Sequence, residues 1–229
     1  MRGFNLAQYE FRTLKAQQLM QQHELGALLL TTETNVRYFT GFLTRFWESP
    51  TRPWYLIIPQ SGKPIAVIPS IGEALMSKTW VEDIRTWPSP DLTDDGINLL
   101  LETLNEVAKK NRVGIPSGAE THVRIPRNDL IRLTQNVNLS HDYEIVKNLR
   151  MIKSKEEIIK IEKACMIAKE AFSRVPEIAS ENIQLDEVFR RFQVLCLEAG
   201  ADWVPYLAGG ADTEGYDDVI SPAKEAPLK

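Results

Sequence analysis

The chain has 229 residues, of which 43% are hydrophobic and 25% are charged, a composition typical of a folded protein with room for two domains. Its formal net charge of -4, with the 27 lysines and arginines scattered along the chain, argues against binding to nucleic acid. No stretch reaches the roughly 18 apolar residues that span a bilayer, and the start of the chain lacks the apolar core of a signal peptide. We therefore expect a cytoplasmic protein with neither nucleic acid nor membrane as a partner.

The amino-terminal part of the sequence predicts alternating helices and strands. Apolar residues at helical spacing predict helices before the first strand, over 94–110 and over 126–133, and Ser70 with Glu73 forms a capping-box pattern that predicts a short helix. Short apolar runs, the second and third joined by a turn sequence, predict strands at residues 27–31, 54–58, 65–68, 82–87, 113–115 and 137–139. Elements in this order predict an α/β domain, residues 1–141, with a mixed sheet covered by helices.

Two amphipathic helices dominate the rest of the chain, and strand patterns stop near Asp142. We therefore predict a linker at 142–153 and a second domain at 154–229. The first helix opens with a capping-box pattern formed by Ser154 and Glu157, and each helix carries an apolar stripe. Two helices and a tail are too small to bury both stripes, so we expect an incomplete domain whose core is partly missing or supplied by a partner.

Cysteine and histidine give little indication of a catalytic or metal site. Cys165 and Cys196 fall on the apolar stripes, where packing in the core is the interpretation for both. The three histidines, His23, His122 and His141, are far apart in sequence, each in or beside a predicted surface segment. The sequence also lacks a phosphate-binding glycine loop, a dinucleotide fingerprint, a paired-cysteine zinc site and a His-Glu-x-x-His helix.

A cluster of carboxylates follows near the carboxyl end, formed by Asp212, Glu214, Asp217 and Asp218. Carboxylate oxygens bind hard cations, but the spacing fits no calcium loop, and neighbouring residues of a strand point to opposite faces. A solvated turn is the favoured interpretation of this cluster.

The segment 40–54 is the most unusual in the chain, because it places aromatic residues, arginines and prolines between two predicted strands. Arginine can hold a carboxylate through two parallel hydrogen bonds, and an aromatic ring can wall a pocket against water. Arg45, Trp47 and Arg52 are therefore the candidate substrate-binding residues. A loop whose aromatic residues only cover the edge of the sheet remains an equally open alternative.

Two segments of the sequence resemble the creatinase, prolidase and aminopeptidase P family. These are Asn35-Val36-Arg37-Tyr38-Phe39-Thr40-Gly41-Phe42 and Arg150-Met151-Ile152-Lys153-Ser154-Lys155-Glu156-Glu157-Ile158. The order of elements is similar over essentially the whole chain. The resemblance implies an α/β fold in which a mixed-sheet creatinase-type N-terminal domain is followed by an incomplete α+β "pita-bread" catalytic domain.

The resemblance also implies that the parent is a metal-dependent hydrolase of the Xaa-Pro aminopeptidase or dipeptidase type. In that family two divalent metal ions, commonly Mn, Co or Zn, are bound by two aspartates, a histidine and two glutamates, and they activate a water for attack on an amide. The sequence ends at Lys229, before the strand that carries the first of these ligands. We therefore expect no catalytic and no metal-binding residue in this chain, which would be an inactive fragment of a longer enzyme.

Relatives in this family often form homodimers in which an amino-terminal domain reaches the active site of the partner. The resemblance thus implies that the segment with Arg45, Trp47 and Arg52 helps to select a peptide or small amide substrate. Two alternatives stay open, because fold alone does not determine function. In the first alternative the parent is a creatinase-like hydrolase of small amides, and in the second it is a non-catalytic peptide-binding module of the same fold.

Overall fold

The computed structural model describes residues 3–49, 52–211 and 220–229. The chain divides into two compact units, Met1–Ile152 (unit 1) and Lys153–Lys229 (unit 2). Within the described residues, no helix combines the length and the apolar character needed to cross a bilayer.

Unit 1 is built on a six-stranded mixed sheet with the strand order β4-β3-β2-β1-β5-β6. The strands are β1 Leu25–Leu30, β2 Tyr55–Pro59, β3 Ile65–Pro69, β4 Asp83–Trp87, β5 Arg112–Ile115 and β6 Leu139–His141. The helices are α1 Leu6–Gln22, α2 Glu33–Thr40, α3 Glu73–Met76, α4 Ile97–Ala108, α5 Arg127–Asn136 and α6 Ile145–Met151. The central strand β1 is antiparallel to β2 and parallel to β5. The predicted mixed α/β fold is confirmed.

Strand β1 lies at the centre of the unit because both of its faces are covered. All six of its residues are buried. Successive side chains of a strand point to opposite faces, so Leu28 and Leu30 enter one apolar cluster while Ala27 and Leu29 enter the other. A strand that is buried on both sides reads as a continuous apolar run, which explains why the sequence of β1 does not alternate.

The predicted hairpin is confirmed, since β2 pairs antiparallel with β3 and Tyr55 lies opposite Val67. Two local predictions were wrong. The last strand begins at Leu139 rather than at Val137, because Val137 caps α5 and is buried. The capping box predicted at Ser70 is absent, because Ser70–Gly72 forms a 3-10 turn and α3 begins without a side-chain cap.

The segment 142–153, predicted as a linker, contains helix α6. Its residues Ile145 and Val146 are buried in the same apolar cluster as β1. The carboxylate of Asp142, itself buried, accepts a hydrogen bond from the backbone N–H of Val146 at 3.3 Å. Short segments that lack a long apolar stripe are difficult to recognise as helices from sequence alone.

The described residues of unit 2 form the helices α7 Lys155–Ser173, α8 Val175–Ile178 and α9 Leu185–Glu198. The predicted capping box of α7 is confirmed: the backbone N–H of Ser154 donates to Glu157 Oε2 at 2.7 Å, and that of Glu157 donates to Ser154 Oγ at 3.2 Å. The core of the unit is small and consists of Ala171, Ile178, Val188, Leu195 and Cys196.

The two cysteines of unit 2 have different surroundings. Cys196 is buried as predicted, and burial raises the pKa of its thiol. The same prediction was wrong for Cys165, which is exposed. Cys165 shares this exposure with other members of the α7 stripe, since Ile161 is 46% exposed and Phe172 is 65% exposed. The apolar pattern of α7 is therefore only partly buried within the described residues.

Candidate substrate-binding loop

The two family-like segments meet in unit 1 through helices α2 and α6. Arg150 Nη1 donates to Asn35 Oδ1 at 2.9 Å. The hydroxyl of Tyr38 donates to the carbonyl oxygen of Leu149 at 3.1 Å. These hydrogen bonds join residues more than one hundred positions apart in the sequence, and they fix the orientation of α2, the helix that leads into the candidate loop.

Helix α2 ends in a turn that requires glycine. Gly41 has a φ of +77°, in the left-handed region that side chains with a Cβ disfavour. A Cβ at this position would also lie 2.4 Å from the hydroxyl oxygen of Tyr9. The hydroxyl of Thr40 accepts a hydrogen bond from the backbone N–H of Phe42 at 3.0 Å. The chain therefore leaves α2 in a fixed direction, with Phe42 buried in the core.

The aromatic loop, defined here as residues 42–49 and 52–54, is organised around one tryptophan. Trp54 is 1% exposed, and its ring centroid lies 5.5 Å from that of Phe42 and 5.9 Å from that of Trp47. Residues Arg45–Glu48 form a 3-10 helix that places Trp47 against Trp54. The loop is thus packed onto the sheet by its aromatic residues rather than extended into solvent.

The three predicted substrate-binding residues have different environments. Arg45 is largely exposed, with 57% of its side chain accessible, and forms an ion pair with Glu48 at 3.2 Å. Arg52 Nε donates to the hydroxyl of Ser89 at 3.1 Å. Trp47 is only 8% exposed and belongs to the core of unit 1. The burial of Trp47 favours a packing role for its ring, while the side chain of Arg45 lies at the surface.

Arg124, which was not identified from the sequence, lies against the aromatic loop. Its Cζ is 5.4 Å from the centroid of the Trp47 ring, and its Nη2 donates to the carbonyl oxygen of Ser49. Its backbone N–H donates to Thr31 Oγ1 at 2.9 Å. Burial lowers the pKa of the Arg124 guanidinium, and the carboxylate of Glu33 opposes this shift. The side chain therefore carries a partly desolvated positive charge beside the loop.

The position of Arg124 follows from the sheet topology. Thr31 follows β1, and Arg124 lies in the connection that follows β5. Because β1 and β5 are parallel neighbours, the segments after their carboxyl ends lie at the same edge of the sheet. A sequence argument based on parallel pairing of these two strands would have brought this connection close to the loop.

Three buried hydrogen-bond donors at the loop have no acceptor within the described part of the chain. They are the indole Nε1 of Trp47, the indole Nε1 of Trp54 and Nη1 of Arg124. Buried polar groups in proteins are nearly always paired, so a concentration of unpaired donors is unusual.

A dinuclear metal site does not fit the residues that the structure describes. Among residues 3–49, 52–211 and 220–229, no group of three or more His, Cys, Asp or Glu side chains is placed to hold a metal ion. His23 and His141 instead pack against the ring of Tyr143, with centroid distances of 4.2 and 4.0 Å. The predicted carboxylate turn at Asp212, Glu214, Asp217 and Asp218 lies outside the described residues.

Comparisons with solved structures show a common fold. A dipeptidase PepE from Mycobacterium ulcerans superposes with a TM-score of 0.74 at 21% identity, covering 99% of this chain and 59% of that protein. A prolidase from Pyrococcus horikoshii superposes with a TM-score of 0.75 at 20% identity, covering 96% of this chain and 57% of that protein.

Sequence comparison agrees. An uncharacterized hydrolase/peptidase from Sinorhizobium fredii is 25% identical over 192 residues, covering 81% of this chain and 48% of the relative. The chain thus spans about half the length of the curated relatives it matches. Residues 12–152 match the family model for the creatinase/prolidase N-terminal domain. The chain therefore belongs to the creatinase/prolidase N-terminal domain family.

Proposed function

We propose that this chain is the amino-terminal part of a hydrolase of the Xaa-Pro dipeptidase or aminopeptidase type. The observation that carries the proposal is the match of residues 12–152 to the creatinase/prolidase N-terminal domain. The names of the structural neighbours, a prolidase and a dipeptidase, and of the curated relatives, peptidases, support hydrolysis of a peptide bond by the parent.

In this proposal the residues that carry out hydrolysis lie outside the described part of the chain. Two divalent metal ions, Mn, Co or Zn, would activate the attacking water in the catalytic domain of the parent. Unit 1 would supply the scaffold and the contacts of a homodimer. On this proposal the 229-residue chain alone does not hydrolyse peptides.

The aromatic loop is the proposed site of substrate selection in the parent. The exposed guanidinium of Arg45 is suited to bind a carboxylate of a peptide, since an arginine fork donates two parallel hydrogen bonds. The hydrogen bond from Arg52 to Ser89 and the buried ring of Trp47 would hold the backbone of the loop in place. A second protomer would present its catalytic centre to this loop.

Steady-state kinetics of the full-length parent with Xaa-Pro dipeptides test this role. Arg45→Gln should raise KM about threefold to tenfold with little change in kcat, because the lost interaction is made equally in the ground and transition states. Arg132→Gln, which removes the same charge from α5, is the matched control and should leave KM unchanged. Equal kinetics of the Arg45→Gln variant and the wild type would contradict the proposal.

Trp47 needs a different substitution, because alanine in place of a buried tryptophan costs about 3–5 kcal/mol of stability. Trp47→Phe retains most of the packing and removes the indole N–H. If the loop selects the substrate, this variant should change the ratio of kcat/KM values for two dipeptides that differ in their first residue. An unchanged ratio would restrict Trp47 to a packing role.

A further inference from the structure

The unpaired donors at the aromatic loop are a local feature rather than a general property of the tryptophans in unit 1. Unit 1 contains four tryptophans. Trp80 Nε1 donates to the carbonyl oxygen of Phe39 at 2.7 Å, and Trp87 Nε1 donates to Asp95 Oδ1 at 2.9 Å. The two indole groups without an acceptor in the described residues both belong to the aromatic loop. Among the described residues of unit 1, the other buried side-chain atoms without a partner are Thr13 Oγ1 and Tyr55 Oη, so three of the five such atoms lie at the loop.

Arg124 adds a charge to this group of donors. A guanidinium remains protonated at physiological pH and donates five N–H groups. Its Nη2 is bound to a neutral backbone carbonyl, that of Ser49, while Nη1 has no acceptor within the described residues. A buried cation in a protein is normally paired with an anion. The carboxylate of Glu33 acts on the charge of Arg124, but Nη1 makes no hydrogen bond to any acceptor within the described residues.

The location is one where ligands of α/β proteins bind. The contact between Arg124 and Thr31 lies just beyond the carboxyl ends of the parallel strands β1 and β5. Ligands of open α/β sheets bind in the crevice outside the carboxyl ends of the strands. Arg124 is itself only partly buried.

We propose that Arg124 anchors a carboxylate group of a ligand at the aromatic loop, beside the indole N–H groups of Trp47 and Trp54. A carboxylate carries two acceptor oxygens in the planar geometry that a guanidinium fork matches. Binding supplies an acceptor for Nη1 of Arg124, which has none within the described residues. The proposal rests in part on the proposed function, because the carboxylate would be that of a peptide substrate or product.

The test uses the ¹⁵N-labelled 229-residue chain and the dipeptide glycyl-L-proline. The indole N–H resonances are assigned with the variants Trp47→Phe and Trp54→Phe, and the titration is followed in ¹H–¹⁵N spectra. Glycyl-L-prolinamide, which lacks the carboxylate, is the matched control ligand. The dipeptide should shift the Trp47 and Trp54 indole resonances in a saturable way and leave that of Trp80 in place, while the amide should shift none of them at the same concentration.

Variants at position 124 identify the anchoring residue. Arg124→Gln should weaken binding of glycyl-L-proline at least tenfold, and Arg124→Lys, which keeps the charge but loses the fork, should weaken it by an intermediate factor. Arg127→Gln, an exposed charge loss three residues away, should change the Kd less than twofold. An unshifted Trp80 indole resonance in each unliganded variant shows that the fold is retained.

Three results would overturn the proposal: equal shifts with the dipeptide and its amide, unchanged binding by Arg124→Gln, or no shift of either loop indole at saturating dipeptide. These outcomes are independent of the proposed function, which depends on hydrolysis by the full-length parent. If the full-length parent cleaves Xaa-Pro dipeptides and its Arg124→Gln variant has the same KM, the hydrolase assignment holds and the anchoring role of Arg124 is wrong. If the 229-residue chain binds the dipeptide but the parent does not cleave it, the anchoring role holds and the hydrolase assignment is wrong.

Discussion

Strand β1 of unit 1 and helix α7 of unit 2 are both strongly apolar, but they are buried to different extents. All six residues of β1 are buried, whereas of the 19 residues of α7 only Ala171 is buried. The strand is covered on both faces by elements of its own unit, while the stripe of α7 has few apolar neighbours within the described residues. An apolar pattern thus identifies a face whose burial stabilises the protein, but it does not show that residues of this chain bury it.

The largest expected effect comes from removing one phenylalanine from each unit. Phe39→Ala in unit 1 should lower the free energy of unfolding by about 3–5 kcal/mol, because Phe39 is fully buried. Phe172→Ala in unit 2 should lower it by less than about 1 kcal/mol, because Phe172 is 65% exposed. Urea unfolding followed by circular dichroism measures both values. Similar losses for the two variants would contradict the difference in burial.

A smaller effect separates two glycines of unit 1 that share a left-handed backbone. Gly41→Ala combines a φ of +77° with a Cβ that would lie 2.4 Å from the hydroxyl oxygen of Tyr9, so a loss of about 2–4 kcal/mol is expected. Gly62→Ala has a φ of +86° but nothing within 4 Å of the added Cβ, so only the backbone cost of about 1–2 kcal/mol applies. Thermal unfolding of the two variants gives the comparison. Equal losses would mean that the contact with Tyr9 is easily relieved.

The smallest effect concerns one ion pair between two elements of unit 1 and a set of ion pairs within one helix of unit 2. Arg85 on β4 binds Glu106 on α4, whereas Glu187 on α9 binds Arg190 and Arg191 on the same helix. In both cases hydrogen bonds from arginine lower the pKa of the glutamate. The stabilisation is therefore present above the ordinary glutamate pKa and is lost as the pH falls through the lowered folded value.

Substitution by glutamine tests this pH dependence. Glu106→Gln should lower the urea concentration at the midpoint of unfolding at pH 7. The difference between the midpoints at pH 7 and at pH 3 should also become smaller, because the neutral side chain no longer titrates. Glu187→Gln should act in the same direction but less strongly, since exposed pairs within one helix contribute little. A pH dependence that is unchanged by Glu106→Gln would show that its ion pair with Arg85 does not stabilise unit 1.

Much of the fold could be predicted from the sequence, because the spacing of apolar residues and the residue types of turns and caps are local features. The hairpin of β2 and β3 and the capping box at Ser154 follow from such signals. Helix α6 was missed because its burial depends on packing against α1 and within the apolar cluster that includes β1, which no local pattern records. The prediction for Cys165 was wrong because the apolar pattern of α7 indicates which face favours burial, but not whether other residues pack against that face.

The candidate site could be predicted only in part. The composition of segment 40–54 identified Arg45, Trp47 and Arg52, but it did not show that Trp47 lies in the core and Arg45 at the surface. Arg124 carries no local signal, since its proximity to Trp47 arises from the parallel pairing of β1 with β5. Sheet order is a long-range property, and a single sequence determines it weakly.

The central claim is that this chain supplies a substrate-selecting scaffold to a peptide hydrolase whose chemistry lies elsewhere in the parent. The most direct measurement is hydrolysis of glycyl-L-proline by the full-length parent and by the 229-residue chain, assayed side by side with added Mn²⁺ and after chelation. We expect metal-dependent cleavage by the parent and none by the chain. Cleavage by the purified chain, or an inert parent, would contradict this claim.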